Sequence, residues 1–582
     1  MKLSSTVWAL GSLWQASAQL QAPDSSSDGN SGIPARDSTE ALNKRYIKFD
    51  FNKLRGDSPD TAEAGAPGKA KLVKRNDGTA LVYLKNEQTF YSVNIGVGTP
   101  EQNQTLLIDT GSSDLWLMGS NNPYCASSSS KKNVEVNYEE KDLFSLLSSL
   151  TAELTTVTQV TGTQQTPTSI SSGDATLSCS QYGTFATDSS SSFKSNNSEF
   201  YISYGDGTYA LGVWGSDKVT LQDVQIPRVN FAVANESTSE FGVMGIGMED
   251  LESTNTLSEE RHTYVNFPSA LVLQGDIHTR AFSLYLNKLE ETQGSILFGG
   301  VDHSKYSGSL YTIPIINTYK NQGYANPIRF EITLQGMGLN ANDTQKTYTT
   351  TKIPVVLDSG STLSYLPASL VSAVASSLGA TYSSSSELYL FDCSKVSNDD
   401  SFVFDFGGFQ IESSLANYIL QTSDKSQCAL GMIPQTSGSF ILGDNFLTAA
   451  YVVYDIDNMQ ISMAQANYNG GAEDVEVISS SVPSATNAPM YSSTFSSTAS
   501  VVTGGNIFTL SSNGAVQTSG GSNSTSSSRS GSGSGSKSSS GASSTGGSSG
   551  GKKNAAVGVS VPSHGLISFL VTASIGLVAG LL

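Results

Sequence analysis

Two short segments hold the residues best suited to chemistry. The first reads Leu106-Leu107-Ile108-Asp109-Thr110-Gly111-Ser112-Ser113-Asp114-Leu115-Trp116, the second Val355-Val356-Leu357-Asp358-Ser359-Gly360-Ser361-Thr362-Leu363-Ser364-Tyr365. Each is an apolar strand running into Asp, a hydroxyl residue, Gly and a second hydroxyl residue. Each is answered downstream by two apolar residues and a glycine, Val243-Met244-Gly245 and Ile441-Leu442-Gly443. A single Asp-Thr-Gly ordinarily marks a turn, because Asp and Gly favour turns. Two copies with matching partners point to residues that act together. Peptide hydrolysis without a metal needs a base to activate water and an acid to protonate the amide. Two carboxylates held close cannot both ionise cheaply, so they share a proton and fill both roles, with pKa values that belong to the pair. Asp109 and Asp358 are the candidates. Gly111 and Gly360 let the backbone turn tightly and aim N–H groups at the carboxylates, while Thr110, Ser112, Ser359 and Ser361 supply hydroxyls that orient and hold them.

The elements that must position this pair read as short strands. Phe90-Tyr91-Ser92-Val93-Asn94-Ile95-Gly96-Val97 alternates, Gly98-Thr99-Pro100 turns, and Thr105-Leu106-Leu107-Ile108 enters the first Asp motif. Short β-runs broken by Gly, Asn and Asp continue to about Tyr468, which predicts a mainly-β domain. One Ser/Thr-rich interruption, about 127–178, contains Lys131-Lys132 and reads as a surface insertion.

The flanks have other compositions. Residues 1–18 place Lys2 before an apolar stretch and end on Ala16-Ser17-Ala18, the pattern of a secretory signal too short to span a bilayer. Residues 19–75 show little strand or helix periodicity, contain Lys44-Arg45 and end at Lys74-Arg75, which predicts a pro-segment. Residues 470–553 are rich in Ser, Gly and Thr and are expected to be a disordered stalk. Its Gly546-Gly547-Ser548-Ser549-Gly550 matches a serine-hydrolase pattern but lacks the strand–turn–helix context. Residues 554–582 combine small residues at Asn554-Ala555-Ala556, a spacer and an apolar tail, the features of a GPI-attachment signal with Asn554 as the attachment candidate. A tail-anchored membrane helix is the rival, disfavoured by the short span and the lack of a basic flank.

Bulk composition narrows the classes. Lysine and arginine total 32 against 51 aspartate and glutamate, a net charge of −19, which argues against nucleic-acid binding. The four histidines lie far apart and no HExxH or CxxC occurs, so no metal and no cofactor is expected. The four cysteines, Cys125, Cys179, Cys393 and Cys428, suggest two disulfides in a secreted chain, with four buried thiols as the alternative.

Residues 88–468 resemble the pepsin family of bilobal aspartic proteases, whose known device is a proton shared between two such carboxylates. The resemblance rests on both Asp motifs, on Ile202-Ser203-Tyr204-Gly205-Asp206-Gly207-Thr208, on Gly299-Gly300-Val301-Asp302 with Tyr306-Ser307-Gly308-Ser309-Leu310, and on Phe440-Ile441-Leu442-Gly443-Asp444-Asn445-Phe446-Leu447. It implies an N-terminal lobe over 76–294 and a C-terminal lobe over 295–469 with the cleft between them. It implies that Thr110 and Ser359 clasp the lobes and that Ser112 and Ser361 bond the outer carboxylate oxygens. It implies a flap with Tyr204 bonded toward Trp116, Gly205 and Gly207 allowing the tip to move, and Asp206 overhanging a bound side chain. The second motif departs from the family's Asp-Thr-Gly by carrying Ser359, which keeps the hydroxyl. Pairing within lobes gives Cys125–Cys179 and Cys393–Cys428, and the first pair would tie the ends of the insertion. A chain clipped there would remain two disulfide-linked pieces of one monomer. Insertion, stalk and tail together resemble the yapsins, the fungal surface-anchored branch that cleaves at basic residues. The expectation is therefore an aspartic endopeptidase made as a zymogen, carried through the secretory pathway to the cell surface or wall, and acting on protein substrates at Lys/Arg sites. The alternatives are a broad-specificity secreted acid protease and a non-catalytic wall or adhesion protein on a protease fold. Asn103, Asn196, Asn235, Asn342 and Asn523 begin N-glycosylation sequons.

Overall fold

The structure is a computed structural model that describes residues 46–54, 73–74, 80–81, 90–125, 177–205, 208–221, 224–257, 261–291, 293–341, 344–384, 387–397, 399–422, 426–495 and 501–508. The expected signal, most of the pro-segment, the body of the insertion, Asp206 and Gly207, the sequons at Asn342 and Asn523, the far part of the stalk and the tail with Asn554 lie outside the described residues.

The fold is mainly β and bilobal. One 14-stranded sheet runs through the molecule. At one end lie the long hairpins Lys194–Ser203, Tyr209–Leu221 and Val224–Ser237 of the N-terminal lobe. Toward the other end Ala281–Tyr285, Ala450–Asp455, Gln460–Ala466 and Tyr306–Pro314 join it to the C-terminal lobe. That lobe adds a five-stranded sheet containing Ile353–Leu357 and two four-stranded sheets. Alternation drives burial: in Phe90–Val97, Tyr91, Val93, Ile95 and Val97 all point into the core. Each lobe carries one disulfide, Cys125–Cys179 and Cys393–Cys428.

The stretch 19–75 is less featureless than its composition suggests. Ile47–Leu54 is a strand, inserted between Gln293–Phe298 and Phe90–Val97 and antiparallel to both. Ile47, Phe49 and Phe51 alternate inward. Phe49 packs on Phe298, Phe298 on Phe282, and Phe282 stacks on Tyr454, so this strand opens an aromatic chain that reaches the C-terminal lobe. Burying each of two phenylalanines contributes roughly 1.5–3 kcal/mol. The alternation was present in the sequence, embedded in polar surroundings that obscured it.

Residues 470–495 and 501–508, expected as part of the disordered stalk, are laid against the C-terminal lobe as a strap. Val475–Val477 pairs with Gly300–Asp302, and Ala485–Asn487 runs parallel to Leu310–Thr312. The Tyr491 hydroxyl accepts from the Thr333 N–H at 2.8 Å, and Gln335 donates to the Ser492 carbonyl at 2.8 Å. Ile507 is wholly buried over Gly336 and Gly338, where a Cβ would meet its side chain. Ser/Gly-rich composition argues against an independent core, but a few apolar residues suffice when the groove already exists.

Candidate active site

Each Asp motif is a strand, a loop and a returning strand threaded round a third strand. Gln102–Asp109 lies parallel to Gly242–Gly245, with Gly245 opposite Asp109. Ile353–Leu357 lies parallel to Ile441–Leu442, with Leu442 opposite Leu357. The same third strands run antiparallel to the chain leaving each loop, Val243 facing Trp116 and Ile441 facing Tyr365. This is the physical content of the repeated apolar pair and glycine. A Cβ on Gly443 would stand 2.3 Å from the carbonyls of Leu363 and Ser361, and one on Gly245 would stand 2.6 Å from the Asp114 nitrogen.

The two carboxylates are held alike. Asp109 accepts from the Gly111 N–H at 2.7 Å and the Ser112 hydroxyl at 2.5 Å. Asp358 accepts from the Gly360 N–H at 2.8 Å and the Ser361 hydroxyl at 2.7 Å. The glycines have a further reason to be glycines, and it is not a left-handed backbone, for neither has positive φ. A Cβ on Gly111 would stand 2.4 Å from an Asp358 carboxylate oxygen, and one on Gly360 would stand 2.4 Å from an Asp109 oxygen. Each carboxylate occupies the space above the opposite glycine. Burial pushes the Asp109 carboxyl well above the usual carboxylate range, and the negative charge of Asp358 adds to the rise. Bonds from Ser112 and Gly111 offset part of it. Such a pair retains one proton where an isolated aspartate would have none.

A crossed set of bonds joins the two loops beneath the carboxylates. The Thr110 hydroxyl donates to the Leu357 carbonyl at 2.9 Å, and the Ser359 hydroxyl donates to the Ile108 carbonyl at 3.0 Å. The Ser359 N–H donates to the Thr110 hydroxyl at 2.9 Å, and the Thr110 N–H to the Ser359 hydroxyl at 3.2 Å. Serine serves here as threonine does.

Above the first loop, the hairpin of Lys194–Ser203 and Tyr209–Leu221 closes with the Tyr204 N–H donating to the Thr208 carbonyl at 2.8 Å. The Tyr204 hydroxyl accepts from the Trp116 indole N–H at 2.7 Å. A Cβ on Gly205 would meet nothing within 4 Å among the described residues. One participant escaped sequence reasoning. Asp114, last acid of the first motif, is buried and accepts from the Ser253 N–H at 2.9 Å and the Tyr264 hydroxyl at 2.8 Å. Its partners lie 139 and 150 residues along the chain, so no local pattern announced them. Among the described residues no group of three His, Cys, Asp or Glu side chains could hold a metal ion.

The arrangement offers two carboxylates held against opposite glycines and a hairpin whose Tyr204 is bonded to Trp116. Residues 90–466 match the family model described as eukaryotic aspartyl protease. The chain is 47% identical over 502 residues to Aspartic proteinase 3 of Saccharomyces cerevisiae, covering 82% of this chain and 87% of that one. It is 44% identical over 473 residues to Aspartic proteinase yapsin-3 of the same yeast, covering 80% and 81% respectively. A solved aspartic proteinase from Irpex lacteus is 22% identical, with a TM-score of 0.47, covering 65% of this chain and 95% of that one.

Proposed function

The chain belongs to the eukaryotic aspartyl proteases and is an aspartic-type endopeptidase; from that premise we propose that Asp109 and Asp358 are its catalytic dyad and that it cleaves beside lysine or arginine. The observation that carries the dyad is the reciprocal fit of each carboxylate over the opposite loop's glycine. In the proposed cycle the ionised carboxyl takes a proton from a water lying between the two. The resulting oxygen attacks the peptide carbonyl carbon, and the protonated carboxyl gives its proton to the carbonyl oxygen. In breakdown of the tetrahedral diol, the carboxyl that took the water proton gives it to the leaving nitrogen, the other carboxylate takes a diol hydroxyl proton, and the C–N bond breaks to give acid and amine with one proton back on the pair. Ser112 and Ser361 keep the carboxylates oriented through the exchange. Tyr204, tied to Trp116, closes the hairpin over substrate.

Basic specificity rests on Asp206, two places after Tyr204 in the sequence, whose carboxylate would meet a substrate cation. A charge-assisted hydrogen bond in a shielded cleft is worth on the order of 1–3 kcal/mol. At a pH that ionises it, D206A should lower kcat/KM for Lys/Arg peptides far more than for Leu/Phe peptides. Equal losses would make Asp206 a turn residue. A peptide-library digest across acid to neutral pH, with and without pepstatin, tests dyad and specificity together.

The maturation proposal is a zymogen cut after Lys74-Arg75. Support comes from Ile47–Leu54, whose removal would leave a strand-shaped vacancy beside Phe90–Val97. Lys48 pairs with Asp50 at 3.3 Å and with Glu473. These exposed pairs add only about 0–1 kcal/mol, so the ladder and the two phenylalanines hold the segment more than charge does. N-terminal sequencing of the active enzyme should begin near Asn76. The surface proposal rests on the tail after Asn554 and is tested by release with a phosphatidylinositol-specific phospholipase. Asn103 and Asn196 are exposed, which suits both as glycan acceptors, and endoglycosidase treatment should reduce the mass.

A further inference from the structure

Two buried carboxyls stand behind the Tyr204 hairpin, apart from the dyad. Asp114 is 1% exposed and Glu252 is 0% exposed. Tyr264 is gripped by both: its hydroxyl donates to Asp114 at 2.8 Å and its backbone N–H to Glu252 at 2.7 Å. The other Glu252 oxygen has no hydrogen-bond partner among the described residues. The Tyr264 ring meets Trp214 edge-on at 4.8 Å, and Trp214 meets Phe200 of the hairpin at 5.1 Å. Trp116, Phe200, Trp214, Tyr204 and Tyr264 share one apolar cluster. Trp116 is two residues beyond Asp114 and holds the Tyr204 hydroxyl.

No cation answers this pair among the described residues. On the turn beside them, Glu249 and Asp250 are acids as well, and Arg280 spends its guanidinium on Glu249 and Asp457. The backbone N–H of His262 bonds the Thr254 carbonyl, and no ion pair from its ring to either carboxyl is present among the described residues. Two buried carboxyls without a counter-charge cannot both ionise in place.

We propose that Asp114, Tyr264 and Glu252 form a positioning unit that sets the wall behind the hairpin, and that substrate closure loosens when the unit becomes charged. Burial raises Glu252 to about 10, with the charges of Asp114, Glu249 and Asp250 adding to the rise, so it stays neutral in the working range. Burial raises Asp114 to about 6 against the lowering bonds from Ser253 and Tyr264. Once ionised, Asp114 favours any arrangement that gives it water, and the turn carrying Tyr264 is what must yield. The unit is a positioning device and touches no reacting atom.

This deepens the reading of Tyr204 as the flap residue and rests on it. The chain has four tryptophans, Trp8 and Trp14 in the expected signal and Trp116 and Trp214 in this cluster. Intrinsic fluorescence of the secreted protein therefore reports the wall directly, without substrate. Titrated from pH 4 to 8, the wild type should show a transition near 6 that D114N abolishes, while E252Q keeps it near 6. Over the same range KM for an uncharged peptide should rise severalfold in the wild type and stay flat in D114N, with kcat following the dyad in both. A transition that persists in D114N, or one moved by a unit or more in E252Q, overturns the unit. If D114N does not fold, Y264F decides: loss of the hydroxyl that lowers the Asp114 carboxyl should move the transition upward, and an unmoved transition overturns the unit. If the fluorescence result holds but Y204F leaves KM unchanged, the flap reading fails and the coupling to closure fails with it, while the titrating wall stands.

Discussion

The two Asp loops are copies in their chemistry and strangers in their support. From Asp109 to Ser112 and from Asp358 to Ser361, every polar partner has its counterpart, with bond lengths agreeing to within about 0.2 Å. One step further the likeness ends. The fifth residue after each loop's aspartate is Asp114 in one loop and the buried Leu363 in the other. Behind the second loop stands a neutral hub, Asn445, which accepts from the Ser364 hydroxyl at 2.6 Å and donates to the Gly431 carbonyl at 2.7 Å. Behind the first stand Asp114 and Glu252. A satisfied amide keeps its bonds at any pH, whereas buried carboxyls keep theirs on conditions. The difference implies that reaction geometry is under symmetric constraint, and that the support directly behind the first loop carries titratable groups where the hub behind the second is a neutral amide.

The largest effect should come from breaking the symmetric part. D109N and D358N each remove one member of the proton-sharing pair, and kcat should fall at least 10²–10⁴-fold on a fluorogenic peptide. The two losses should be similar, and a variant that retains turnover would break the likeness. Next comes the asymmetric part. Asp114 and Asp405 are both raised by burial to about 6. A raised carboxyl contributes stability that is complete below its unfolded pKa near 4 and is lost as pH rises through 6. The denaturant midpoint should therefore fall between pH 4 and 7. D114N should recover part of that loss, no more than roughly 3 kcal/mol by the size of the shift. N445D should set a similar weakness directly behind the second loop, since it puts a carboxyl against the Gly431 carbonyl. A pH-independent penalty in N445D would count against the contrast.

Smaller effects should come from the clasp. T110V and S359A each delete a hydroxyl that donates once and accepts once, at about 1–3 kcal/mol in urea unfolding. Near-equal costs would extend the symmetry from the carboxylates to their foundation, and unequal costs would limit it. The smallest change is Y204F, which removes the acceptor for the Trp116 N–H. KM should rise severalfold, with stability within about 1 kcal/mol of the wild type.

Much of this site could be read from the sequence because its signals are local. Asp, hydroxyl, Gly and hydroxyl stand in four consecutive positions, and the third strand announces itself by Val243-Met244-Gly245 and Ile441-Leu442-Gly443. What stayed hidden depends on distance. Asp114 lay in plain view inside the motif, but its meaning comes from Ser253 and Tyr264, which only the fold brings near. The glycines were legible as tight-turn residues, while their closer constraint is a carboxylate from the other lobe. Ile47, Phe49 and Phe51 alternate as strand residues should, yet eight residues cannot say which sheet receives them. Val475–Val477 and Ile507 are too sparse to signal order by composition, because the surface they cover is made by other segments.

The strap has a mechanical meaning. If the tail tethers the protein to a surface, tension does not enter at Gln460–Ala466, the last long strand. It meets first the buried Ile507, then the bridge between Thr503 and Thr349, then the parallel pairing of Ala485–Asn487 with Leu310–Thr312. These contacts spread a pull across the outer sheets of the C-terminal lobe before it reaches the strand that carries Asp358. They also fix where the molecule can be let go. A cut beyond Phe508 would release the protease with its load path intact. A cut near Gly470 would free the same dyad but leave Gly336, Gly338 and the Thr333 N–H uncovered, so intact shedding requires a scissile bond past the strap.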